Sequence, residues 1–268
     1  MRLTDTVKHL IIINVLFFIA TQLLGDQMYQ WFALWFPANE NFQIWQIFTH
    51  MFMHGGWSHI LFNMFGLWMF GTAVEEYLGR NQFIFLYFSA GLGAAAFQLG
   101  FYYFEYLPYL NQLSDLNLSS DLIHKIMNIE ATEGGYFKGE LLGKELLPML
   151  EQYNISSLTQ EQFSALFQMN IISQTSMVGA SGCIMGILAA FGVMNPNAEL
   201  MLIFLPIPIK AKFFIPGIIL LDVISAFTGQ SFFSPSNTAY MAHIGGALIG
   251  FIMMWYWKKN SFNKNRWN

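Results

Sequence analysis

Apolar stretches of about 18 residues recur along the chain, a length that suits a bilayer and not the core of a water-soluble domain this size. Six such spans can be placed, at about residues 7–25, 57–78, 82–104, 178–195, 213–229 and 239–257. Composition agrees, with 55% hydrophobic residues and only 10% charged against roughly 25% in soluble domains. The expected fold class is therefore an all-α polytopic membrane protein. A net charge of −4 leaves no basic surface to neutralise phosphates, which sets nucleic-acid binding aside. The single cysteine, Cys183, lies inside a span and rules out an intrachain disulfide framework and a cysteine-based zinc site together.

The first run follows Arg2 and Lys8 and has no small-x-small cleavage pattern before Gly25 and Asp26, so it reads as a retained helix. An even number of spans puts both termini on one side. Placing them in the cytoplasm puts nine of the twelve Lys and Arg inside, leaving only Lys125, Lys138 and Lys144 outside. The acids sort the other way, eleven of sixteen falling outside.

This gives four regions: 1–104 with helices 1–3, a polar extracytoplasmic insertion over 105–176, 177–257 with helices 4–6, and a basic cytoplasmic tail over 258–268. Within the first region, residues 26–56 carry Trp31, Phe32, Trp35, Phe36, Trp45, Phe48 and Phe52. That segment is too aromatic for a solvated loop and too interrupted to span, so short helices in the outer interface are expected there; packing on other helices is the alternative. In the insertion, Thr159-Gln160-Glu161-Gln162 has the form of a capping box, followed by Phe163, Leu166 and Phe167 at helical spacing. Asn117-x-Ser119 and Asn154-x-Ser156 fit the glycosylation sequon without deciding anything.

Polar and ionisable groups inside spans are costly, so each is a functional candidate: His59, Asn63, Ser181, Asp222 and His243. Ser181 sits in Gly179-Ala180-Ser181-Gly182 at the start of an apolar run. A serine exposed at a helix N-terminus, with N–H groups free to face an anion, suits a nucleophile. The small-residue pattern equally suits close helix contact.

His243 lies on the face of α-helical spacing that carries Gly246 and Gly250, which presents an imidazole across a close helix contact; a hydrogen bond to a backbone carbonyl would serve as well. A hydroxyl needs a neighbouring base to become nucleophilic, and this ties the two residues together. His59 and Asn63, four apart on one face, could donate to one oxyanion or simply join helices. His50 and His54 are also four apart but lack the Glu that a zinc metalloprotease uses as base, and no metal site is assigned. Asp222 is the only carboxylate placed within a span beyond its ends, which disfavours a two-aspartate intramembrane protease. It also suggests that no carboxylate serves His243.

The series His50-Met-Phe-Met-His54-Gly-Gly-Trp-Ser-His59-Ile-Leu-Phe-Asn63, then Gly179-Ala-Ser-Gly182, then Ala242-His243-x-x-Gly246-x-x-x-Gly250 resembles the rhomboid intramembrane serine proteases. The resemblance covers the six-helix core. It implies a serine endopeptidase with a Ser181/His243 dyad, an oxyanion hole from the Ser181 N–H, His59 and Asn63, and site packing by Gly179, Gly182, Gly246 and Gly250. It further implies transmembrane protein substrates cut near the outer ends of their helices, no cofactor, and a multi-pass location in a bacterial inner membrane. A catalytically inactive relative that binds transmembrane clients is the alternative. Gln46 stands where many members have Arg, and Met185 where some carry an aromatic ring against the imidazole; the insertion has no counterpart in minimal members.

Overall fold

The computed structural model describes residues 2–155, 157–202, 205–231 and 238–264, and it is mostly helical. The first long apolar helix, α1 (Asp5–Leu24), ends at Gly25, whose φ of +56° favours glycine and turns the chain into the short α2 (Asp26–Phe32). The strand β1 (Leu34–Trp35), one turn of α3 (Gln46–Thr49) and a 3-10 turn (His50–Phe52) follow. The second apolar span is divided: α4 (Trp57–Gly66) passes through a π-turn (Leu67–Gly71) into α5 (Thr72–Leu78). On α5, Glu75 accepts hydrogen bonds from the N–H groups of Thr6 (3.3 Å) and Val7 (3.1 Å) and from the Thr4 hydroxyl. It thus caps the start of α1 with a negative charge where the helix dipole favours one.

Helix α6 (Arg80–Gln112) differs from the expected span. The apolar run stops at 104, but the helix continues through Pro108 to Gln112, because Tyr102, Tyr106, Tyr109 and Leu110 of its last turns lie against the core of the insertion. At 1.5 Å per residue α6 is about 50 Å long, so it extends well beyond a hydrocarbon layer of about 30 Å. The insertion is a small helical unit and not an open loop. It comprises α7 (Ser120–Met127), a hairpin of β2 (Thr132–Glu133) and β3 (Tyr136–Phe137), α8 (Gly139–Gln152) and α9 (Gln160–Gln174). Leu122, Ile126, Leu142, Leu146, Leu150 and Leu166 recur at helical spacing and are buried together.

The capping box forms as expected: Thr159 Oγ1 accepts from the Gln162 N–H at 3.2 Å, and Gln162 Oε1 accepts from the Thr159 N–H at 2.9 Å. Ser156 of the second sequon lies outside the described residues.

The strand β4 (Ser176–Met177) pairs antiparallel with β1 and leads into α10 (Ser181–Met194). A hairpin of β5 (Glu199–Leu202) and β6 (Leu205–Lys210), not anticipated from the sequence, precedes α11 (Ala211–Thr228), and α12 (Tyr240–Lys264) closes the described chain. Among the described residues, α1, α6 and α11 are long and apolar enough to cross a membrane, while α10 is apolar but shorter. The centre of the structure is the packing of α6, α10 and α12. Small residues let their backbones meet: a Cβ on Gly182 would lie 2.4 Å from Ala94 Cβ, and one on Gly186 2.3 Å from Ala90 Cβ.

Candidate active site

Ser181 is the first residue of α10, so its N–H and those of the next residues have no acceptor within the helix and the positive end of the helix dipole faces the hydroxyl. Fourteen residues make α10 about 21 Å long, less than the roughly 30 Å of hydrocarbon. Ser181 is partly buried at the head of this short helix, and the nine residues after it, Gly182 to Ala190, are buried.

The arm before it is held from two sides. Met177 and Ser176 pair with Leu34 and Trp35, and the Gly179 N–H donates to the His50 carbonyl at 2.9 Å. Gly179 has a φ of +131°, and a Cβ there would stand 2.8 Å from His59 Nε2 and 3.6 Å from Ser181 Oγ. Only glycine both adopts that backbone and leaves open the space between the hydroxyl and the imidazole.

His243 reaches the site through the contact of α12 with α10. A Cβ on Gly246 would lie 2.0 Å from the Gly182 carbonyl oxygen, one on Gly250 2.1 Å from that of Gly186, and one on Gly182 3.4 Å from that of Ala242. The residue after Ser181 thus abuts the residue before His243. Among the described residues no hydrogen bond joins Ser181 Oγ to His243; hydrogen bonds of a catalytic pair are often long before substrate binds.

His59 and Asn63 share one face of α4, one turn apart. The Gly55 N–H points at His59 Nδ1 (3.4 Å), which leaves the ring proton on Nε2, the nitrogen that faces Gly179 and Ser181. Asn63 is buried, and among the described residues its amide Nδ2 has no hydrogen-bond partner. A buried donor without an acceptor is costly. His59 also lies close enough to His243 to interact with it electrostatically.

The aromatic segment over residues 26–56 is anchored by Gln46, which is fully buried. Its Nε2 donates to the carbonyls of Gln30 (2.9 Å) and Asn41 (2.7 Å), and its Oε1 accepts from the N–H groups of Gln43 (3.1 Å) and Trp35 (3.5 Å). The neutral amide therefore ties both halves of the segment together. His50 Nδ1 bonds the Gln46 carbonyl at 2.8 Å, and burial brings its pKa down to about 4. His54 packs edge-on to His59 with ring centroids 5.0 Å apart, and burial brings its pKa down to about 3. Both rings are neutral at pH 7. The insertion docks on the same segment: Asn39 Nδ2 donates to the Ser173 carbonyl, and Asn128 bonds both the Ala38 carbonyl and the Glu40 N–H.

One expectation needs correction. A carboxylate does stand beside His243: Asp222 Oδ2 on α11 is 2.9 Å from His243 Nδ1, and its side chain is 3% exposed. The signal in the sequence was the carboxylate itself, isolated in an apolar span; what the sequence lacks is the helix rotation that aims it. Met185 is buried in the main apolar cluster.

A family model described as "Rhomboid domain" matches residues 41–108 and 134–260. The chain is 45% identical over 71 residues to proteins named "Rhomboid protease GlpG" from Salmonella newport, Salmonella heidelberg and Salmonella typhimurium, a match covering 26% of this chain and 26% of each relative.

Proposed function

Because the chain belongs to the rhomboid family, we propose that it is an intramembrane serine endopeptidase that cleaves transmembrane-anchored proteins. The observation that carries this reading is the serine at the head of the short buried helix α10, faced by His59 and lying beside α12, which carries His243. In the reaction, Ser181 Oγ attacks the scissile carbonyl carbon while His243 takes the hydroxyl proton. The carbonyl oxygen, now negative, enters the space that Gly179 leaves open, where the Ser181 N–H, His59 Nε2–H and Asn63 Nδ2 donate to it. Collapse breaks the C–N bond, and His243 returns the proton to the departing amine. Water then attacks the acyl-enzyme by the same route in reverse, giving a new C-terminal carboxylate and restoring the serine.

In this account six helical segments cross the bilayer: α1, α4 with α5, α6, α10, α11 and α12. Both termini are cytoplasmic, in a bacterial inner membrane, and the insertion is on the outer side. Trp31, Trp45 and Phe48, each about half exposed, lie at the outer headgroup level. The insertion shades the site mouth without contributing to the chemistry.

The test is a fluorophosphonate reaction on purified protein followed by peptide mass spectrometry. The expected adduct is on Ser181 and disappears in His243→Ala. A folded wild-type protein that takes no adduct would favour an inactive, client-binding member.

A further inference from the structure

The geometry points to Asp222 as a positioning residue for His243, which makes the proposed Ser/His pair a three-residue relay that spans α10, α11 and α12. This rests on the protease reading above. Asp222 lies in the middle of the apolar helix α11, buried, with Oδ2 2.9 Å from His243 Nδ1. A carboxylate in that setting is expensive unless it is paired, and the imidazole, 12% exposed, is a partner within hydrogen-bond distance.

The bond also decides which nitrogen carries the ring proton. An ionised carboxylate only accepts, so Nδ1 donates its hydrogen to Oδ2 and Nε2 keeps its lone pair. That tautomer is the one a base needs to take the Ser181 proton. When the proton arrives on Nε2 the ring becomes a cation in a poorly solvated place, and a fixed negative charge 2.9 Å away compensates it. Asp222 does not change its own protonation during the cycle: the hydroxyl proton moves to Nε2 and on to the leaving amine, and the Oγ electron pair forms the acyl bond.

The competing role is purely structural, a polar tie between α11 and α12, and the experiment separates the two. Cleavage of a model transmembrane substrate is measured for wild type, Ser181→Ala, Asp222→Asn and Asp222→Glu, with rates expressed per folded molecule. In parallel, 15N-histidine NMR of the Ser181→Ala protein reads the His243 tautomer with Asp222 intact, so the test survives even if Asp222→Asn misfolds.

The relay requires the Nδ1–H tautomer, a fall in kcat of roughly 100- to 10,000-fold in Asp222→Asn with KM changed less than about twofold, and partial recovery of kcat in Asp222→Glu. An Nε2–H tautomer overturns it. So does a kcat per folded molecule that is unaltered in Asp222→Asn, or a loss explained wholly by unfolded protein. If Ser181→Ala still cleaves, the protease reading itself fails; if Ser181→Ala is inactive while Asp222→Asn is normal, only the relay fails.

Discussion

Gly246 on α12 meets Gly182 on α10 backbone to backbone, so closely that a Cβ on Gly246 would stand 2.0 Å from the Gly182 carbonyl oxygen. Since His243 is one turn from Gly246, the same contact sets the distance between His243 and Ser181. Gly246→Ala is therefore expected to push the two helices apart by on the order of 1 Å, lowering stability by about 1–3 kcal/mol and turnover by about 100-fold. Thermal unfolding and initial rates in detergent check both. Gly217→Ala on α11, where a Cβ would meet nothing among the described residues within 4 Å, is the control and should lower neither.

Gln46 should matter for stability more than a loop residue usually does. Gln46→Leu keeps much of the volume but leaves the carbonyls of Gln30 and Asn41 without their donor. A loss of about 2 kcal/mol or more is expected, together with faster amide exchange over residues 30–46. Unaltered exchange there would mean the segment is held by other contacts.

Acid should destabilise the protein through its buried imidazoles. His50 and His54 have folded pKa values of about 4 and about 3, below the roughly 6.5 of an unfolded histidine. The unfolded chain therefore binds protons first. Stability from these groups is complete above about pH 6.5 and falls as pH drops toward the folded values. Melting temperatures should decline between pH 6.5 and 4.5, and His54→Phe, which removes a buried ring that resists protonation, should flatten that decline. A melting temperature independent of pH across this range would contradict the assignment.

The close packing around Ser181 and His243 was legible because its parts are local. The glycines around Ser181 and His243, and the four-residue spacing of His59 and Asn63, follow from helical geometry alone. The Thr159/Gln162 capping box was readable for the same reason. The Asp222–His243 bond was not, because the residues are 21 apart on different helices and only packing aligns them. Gln46 stood out as a departure from the rhomboid pattern, but its anchoring role was not legible because its four partners gather from residues 30–43. The length of α6 was missed because hydropathy ends at Glu105, whereas the helix is continued by contacts with the insertion.

The orientation is tested by chemistry on intact cells. In a Cys183→Ser background, a cysteine at the exposed Ser120 of α7 should react with an impermeant maleimide, and one at the exposed Lys259 of α12 should be protected. The reverse pattern would invert the topology.

The central claim is that Ser181 is the nucleophile, and the most direct measurement is cleavage of a model transmembrane substrate by purified variants in vesicles, each shown to be folded. Asn63→Ala, which removes one of the three proposed oxyanion donors, should retain activity within about 100-fold of wild type, a cost on the order of 3 kcal/mol at most, and His59→Ala should lose more. Ser181→Ala should fall to background, with His243→Ala close to it, since the proposed acyl-enzyme forms on the Ser181 hydroxyl and that hydroxyl needs His243 as its base. A folded Ser181→Ala protein that still cleaves the substrate would contradict the account.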